Sequence, residues 1–173
     1  MATLVLTVLG DDRPGLVSAV SAALDSHGAS WERSRMARLA GKFAGVVEVG
    51  APDGTVGDLV TDLEALSSTG LTVVVERTDA PEAAEPTRLT LDLVGSDRPG
   101  IVASISSLLA ERGVSVEELE TEVRDAPMAG GTLFEAHAVL VVPADLSSED
   151  LRAALEALAD ELLVDVELAD VPV

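Results

Sequence analysis

The residues best suited to chemistry form one short motif that occurs twice. Gly10-Asp11-Asp12-Arg13-Pro14-Gly15 runs into Leu16-Val17, and Gly95-Ser96-Asp97-Arg98-Pro99-Gly100 runs into Ile101-Val102. In each copy the last glycine lets backbone approach a ligand with no Cβ in the way. A helix starting there offers free amides and a favourable dipole to a carboxylate. Arg13 or Arg98 would add a charge-assisted hydrogen bond to that carboxylate, and Asp12 or Asp97 would receive an ammonium group. A small amino acid carries both charges. The same residues also support a purely structural reading, in which Asp12 and Asp97 cap helices. Pro14 and Pro99 have no amide hydrogen, so each carboxylate would reach the amide of Gly15 or Gly100. Arg13 and Arg98 would then be solvated.

Other chemistry finds little support. The chain has no cysteine, which removes disulfides, thiolate metal sites and cysteine nucleophiles together. His27 falls at an expected helix end and His137 within an expected strand, with no neighbour pointing to metal binding or general-base work. No nucleophile–base pair, metal set or phosphate loop is recognisable, so neither catalysis nor a cofactor is expected.

The formal charge is −20 with a single lysine, Lys42, which argues against direct contact with nucleic acid or an anionic membrane. Arg33, Arg35, Arg38 and Lys42 gather in one segment, either as a solvated face or as a docking patch for an acidic surface. The only aromatics are Trp31, Phe43 and Phe134, so the core must be aliphatic and the stacking platform of an RNA-binding sheet is excluded. The first apolar run lacks basic residues and stops at Asp11-Asp12. Neither a signal peptide nor a membrane span is expected there, and a cytoplasmic location is.

The elements that must position the two turns repeat with them. The offset from Gly10 to Gly95 is 85 residues, and it also relates Leu4, Leu6 and Val8 to Leu89, Leu91 and Leu93, and Gly28 and Ser30 to Gly113 and Ser115. Leu4, Leu6 and Val8 alternate with Thr3, Val5 and Thr7, the period of a strand with one buried face. Leu16, Val17, Val20, Ala23 and Leu24 fall on one helical face, matched by Ile101, Val102, Ile105, Leu108 and Leu109, and Gly28 or Gly113 ends the helix. Two extended stretches follow, 30–38 and 43–50, joined by a turn at Ala40-Gly41; the second copy's connection, 125–131, is longer and expected to be mobile. Val56, Leu59, Val60, Leu63 and Leu66 predict a second helix, as do Leu151, Leu155, Leu158 and Leu162, and a short valine-rich strand closes each copy.

Each copy therefore reads βαββαβ, the ferredoxin-like order, and the fold class is α+β with two such domains at 1–78 and 87–173. The stretch 79–86, with Pro81 and Pro86, reads as a linker. Strand edges left open are expected to pair, the two copies with each other or across a dimer, and a homodimer is expected.

These residues resemble the tandem ACT-domain proteins grouped with the glycine cleavage system transcriptional repressor. The first half contributes Gly10 to Val17, Ser34-Arg35-Met36-Ala37-Arg38-Leu39 and Phe43-Ala44 to the resemblance; the second contributes Gly95 to Val102, Glu120-Thr121, Leu133-Phe134 and Val164 to Leu168. The resemblance implies a regulatory module that binds a small amino acid, glycine- or serine-like, and acts through a protein partner. It points to Gly10, Asp12, Arg13, Pro14 and Gly15, and to Gly95, Asp97, Arg98, Pro99 and Gly100, as ligand-binding residues. Ser30 and Ser115 stand where many ligand-binding ACT domains have asparagine; serine donates and accepts but is shorter.

Overall fold

The computed structural model describes residues 1–78, 86–126 and 130–171. The chain forms two compact units, Met1–Glu82 and Ala83–Val173. Apart from Pro86, the linker expected at 79–86 lies outside the described residues, as does the middle of the connection expected at 125–131.

The first unit runs β1 (Ala2–Asp11), α1 (Leu16–Ser26), β2 (Ser30–Leu39), β3 (Lys42–Ala51), α2 (Val56–Ala65) and β4 (Leu71–Thr78), with short 3-10 turns on either side of α2. The second runs β5 (Thr87–Ser96), α3 (Ile101–Glu111), β6 (Ser115–Asp125), β7 (Thr132–Val142), α4 (Ser148–Leu162) and β8 (Val164–Asp170). The sheets are antiparallel with orders β2-β3-β1-β4 and β6-β7-β5-β8, the arrangement expected of tandem ferredoxin-like modules.

Alternation decides which face of each sheet takes the helices. Leu4, Leu6 and Val8 of β1 are buried with Val47 and Val49 of β3 and Leu71 and Val73 of β4, and Leu16, Val20, Leu24, Leu59 and Leu63 pack onto them from α1 and α2. Leu89, Leu91, Leu93, Ala138, Leu140, Ile105, Leu109, Leu151 and Leu155 repeat this core in the second unit. Burying each such leucine contributes about 1.5–3 kcal/mol. Val46 and Val74 on the opposite face of the first sheet, and Val94 on that of the second, are exposed.

Both helices that follow the turns end alike. Ala29 N–H bonds to the Leu24 carbonyl at 3.0 Å and Val114 N–H to the Leu109 carbonyl at 3.0 Å, with Gly28 and Gly113 at φ 64° and 69°. This 6→1 closure needs the left-handed glycine in between. The edge strands β2 and β6 also share a β-bulge, at Glu32 between Trp31 and Arg33 and at Glu117 between Val116 and Glu118. The bulge resets which side chains face the core, so Met36 packs inward while Arg33 and Arg35 lie on the open face.

The strand glycines are set by sterics. A Cβ on Gly10 would lie 2.9 Å from the Gly70 carbonyl oxygen, and one on Gly95 would lie 2.4 Å from Val164 Cγ1. Gly95→Ala is expected to destabilise the second unit by about 1–3 kcal/mol through overpacking. Urea denaturation checks this: Val164→Ala added to Gly95→Ala should cost less than the sum of the single changes, whereas simple additivity would contradict the clash.

Candidate functional site

Each turn reverses the chain from the end of a central strand into a helix. Gly15 sits at φ 94° and Gly100 at φ 99°, left-handed conformations that strain any residue with a Cβ. Their carbonyls accept the first helical bonds, from Ala19 N–H and Ser104 N–H, each at 2.9 Å. No side chain caps either helix. This corrects the capping geometry expected of Asp12 and Asp97. By contrast α4 is capped, Ser147 Oγ accepting from Asp150 N–H at 3.0 Å. The leading amides of α1 and α3 therefore have neither an intrahelical nor a side-chain partner, the condition for holding an anion.

The turns share a backbone tether and differ in their side chains. Asp12 N–H bonds to the Gly41 carbonyl and Asp97 N–H to the Thr132 carbonyl, each at 2.9 Å, fixing each turn to the hairpin beside it. In the first turn, Asp12 Oδ2 accepts from Arg38 at 3.2 Å, and Arg13 donates to the carbonyl of Thr69 beyond α2. Asp11 pairs with Lys42, whose hydrogen bond and charge hold the Asp11 carboxyl below its usual range. In the second turn, neither Asp97 nor Arg98 has a side-chain partner among the described residues, and both are exposed.

The cations of the basic segment in the first half are held in surface ion pairs. Arg33 bonds Glu48 at 2.8 Å, while Arg38 and Lys42 are spent on Asp12 and Asp11. Sequence reasoning saw these cations but missed what they face; their scarcity in so acidic a chain was the available signal.

Ser30 and Ser115 are not brought to their own turns. Ser30 is paired with Gly50, which pairs with Thr3, and Ser115 with Val141, which pairs with Arg88. Thr3 and Arg88 each lie seven residues along the strand from Gly10 and Gly95, roughly 23 Å at strand rise. Within one unit the turn and the serine cannot touch the same small ligand, because β2 and β6 begin at the opposite end of the sheet.

The family model of the ACT domain matches residues 2–76 and again 87–169. The chain belongs to the ACT-domain family. It is 24% identical over 161 residues to the glycine cleavage system transcriptional repressor of Escherichia coli K12, spanning 92% of this chain and 85% of that protein. A crystal structure of an unknown protein from Galdieria sulphuraria superposes with TM-score 0.87 at 34% identity, covering 99% of both chains. A crystal structure described as a candidate glycine cleavage system transcriptional repressor superposes at TM-score 0.75 with 19% identity, over 99% of this chain and 98% of that one, a likeness of fold.

Outside the turns, each ACT domain carries one histidine, and each meets an aspartate. His27, closing α1, lies 2.7 Å from Asp62 of α2, and His137 of β7 lies 2.7 Å from Asp92 of β5 on the open face. No group of three or more His, Asp or Glu among the described residues is arranged to hold a metal ion, and no described helix is long and apolar enough to cross a membrane.

The bond to Asp92 and the charges of Glu120 and Glu118 raise the pKa of His137. Because the folded value is raised, this contact stabilises the fold fully below about pH 6.5, the ordinary histidine value, and the contribution is lost as pH rises through the raised pKa. An NMR titration of the His137 ring should show a midpoint above that of free histidine, moving down in Asp92→Asn. An unchanged midpoint would contradict the pairing.

Proposed function

We propose that this protein is a non-enzymatic regulator that senses a small amino acid, such as glycine or serine, and acts on metabolic gene regulation through contacts with another protein. Membership of the ACT family supports the regulatory reading, as does the similarity to a protein named the glycine cleavage system transcriptional repressor. A net charge of −20 favours a protein partner over DNA.

The observation that carries the ligand assignment is the second turn. Gly100 starts an uncapped helix beside the Asp97 carboxylate and the Arg98 guanidinium, neither of which has a side-chain partner among the described residues. An amino acid seated there gives its carboxylate to the α3 amides and Arg98, and its ammonium to Asp97. Gly95 and Pro99 hold the turn's shape.

The alternative, a ligand-independent structural or oligomerisation module, has its own observation in the first turn. There Arg13 ties the turn to Thr69 and Asp12 ties it to Arg38, so Gly10, Asp12, Arg13, Pro14 and Gly15 serve the fold.

Titration calorimetry of the full chain against glycine and serine tests the assignment. Asp97→Asn and Arg98→Ala should each weaken binding by about tenfold or more, as expected for a hydrogen bond to a charged group. Asp12→Ala should leave binding close to wild type. Absence of binding to any standard amino acid, or equal binding by the Asp97 and Arg98 variants, would contradict it.

A further inference from the structure

The second ACT domain does not fill its own interior. Between α3 and the strands β6 and β7 lies a cavity of about 50 Å³, whose lining includes Ile105, Leu109, Val116, Leu119, Phe134 and Ala138. A single water needs roughly 10–15 Å³ of such space, and an apolar void stays dry. Domain interiors are otherwise packed closely enough to leave few such voids.

The first ACT domain shows what closes this space. Leu6 and Leu91 are equivalent, and they pair with Val47 and Ala138 respectively. At the bulges, Trp31 stands where the second domain has Val116. Met36, in register with Gly45, stands where it has Thr121, in register with Ala136. Val47 is fully buried, and Trp31 and Met36 pack against its core. The second domain carries the smaller residue at all three positions. Its one larger residue there, Leu119 in place of Ser34, is 52% exposed and stands at the cavity's mouth.

The cavity starts beside the second turn. Ile101 and Val102, the first two residues of α3, line it, as does Phe134, in register with Gly95. Side chains on a helix lean toward its start. Ile101 and Val102 therefore offer leading amides to the turn and apolar walls to the cavity.

We infer that this cavity receives the side chain of the amino acid held at the second turn, and that the preferred ligand is aliphatic, of the size of valine or leucine. The inference rests on head-group binding by Asp97, Arg98 and the α3 amides. Those groups recognise an ammonium and a carboxylate, which every amino acid has; the cavity discriminates among them. Glycine leaves it empty. Serine gains nothing from it, because the one polar side chain of the lining, Ser106, donates to the Ala103 carbonyl at 3.2 Å and a hydroxyl is better solvated outside. A charged side chain would be buried there without a counter-ion. An isopropyl or isobutyl group leaves water and gains dispersion contacts on all sides.

Titration calorimetry of the full chain against glycine, alanine, valine and leucine tests this. Affinity should rise along the series, with leucine about tenfold or more tighter than glycine, the gain expected from burying an aliphatic side chain. Val116→Trp and Ala138→Val, which place the first domain's residues in the second, should together bring the leucine-to-glycine affinity ratio close to one. Methyl NMR of the unaltered chain reads the same contact: the Ile105 and Leu109 resonances should move with leucine and stay in place with glycine. Equal affinity for glycine and leucine, a preference that survives the double variant, or unmoved methyls under bound leucine would each overturn the inference while leaving head-group binding intact. Absence of binding by all four amino acids would overturn both.

Discussion

The structure depends on the reversal at Pro14-Gly15 and Pro99-Gly100. A strand in the centre of a sheet must turn back so that its helix can cover Leu4, Leu6 and Val8, or Leu89, Leu91 and Leu93. The glycine's left-handed backbone makes that reversal within one residue, and the preceding proline fixes the approach. The cost is a helix start that no side chain caps. A capping side chain would satisfy those amides, as Ser147 does for α4; at the ends of both central strands they are left without one.

The two places have diverged. In the first ACT domain the acidic and basic side chains of the turn are consumed by the fold, Asp12 on Arg38 and Arg13 on Thr69. In the second they have no partner among the described residues. The proposed ligand assignment rests on this difference, since only the second turn keeps its carboxylate and guanidinium without a side-chain partner among the described residues. A ligand that orders the second turn affects regulation only if it binds one state of the protein better than another.

Much of the fold was legible in the sequence, since period-2 and helical apolar spacing directly report burial. Among the described residues, β1 and β5 fall where Leu4-Leu6-Val8 and its repeat place them, and α2 and α4 where Leu59-Leu63 and Leu151-Leu155 do. The bulges at Glu32 and Glu117 were not legible, because an extra residue in an edge strand is defined only by the strand it pairs with. The turn residues were identifiable by type, but their employment was not. Whether Arg13 is solvated, caps nothing or reaches Thr69 depends on where a carbonyl 56 residues later comes to rest. Ser30 and Ser115 show the same limit: a resemblance places them at a strand start, and only sheet topology shows that start to be at the far end from the turn.

The central claim is that the uncapped start of α3 receives an amino acid's carboxylate while that of α1 does not. Backbone amide NMR of the full chain, titrated with glycine or serine, reads this residue by residue. The amides of Gly100, Ile101 and Val102 should shift and gain protection from hydrogen exchange, with Gly15, Leu16 and Val17 unchanged. Shifts confined to the first turn, or no shift at either, would contradict the account.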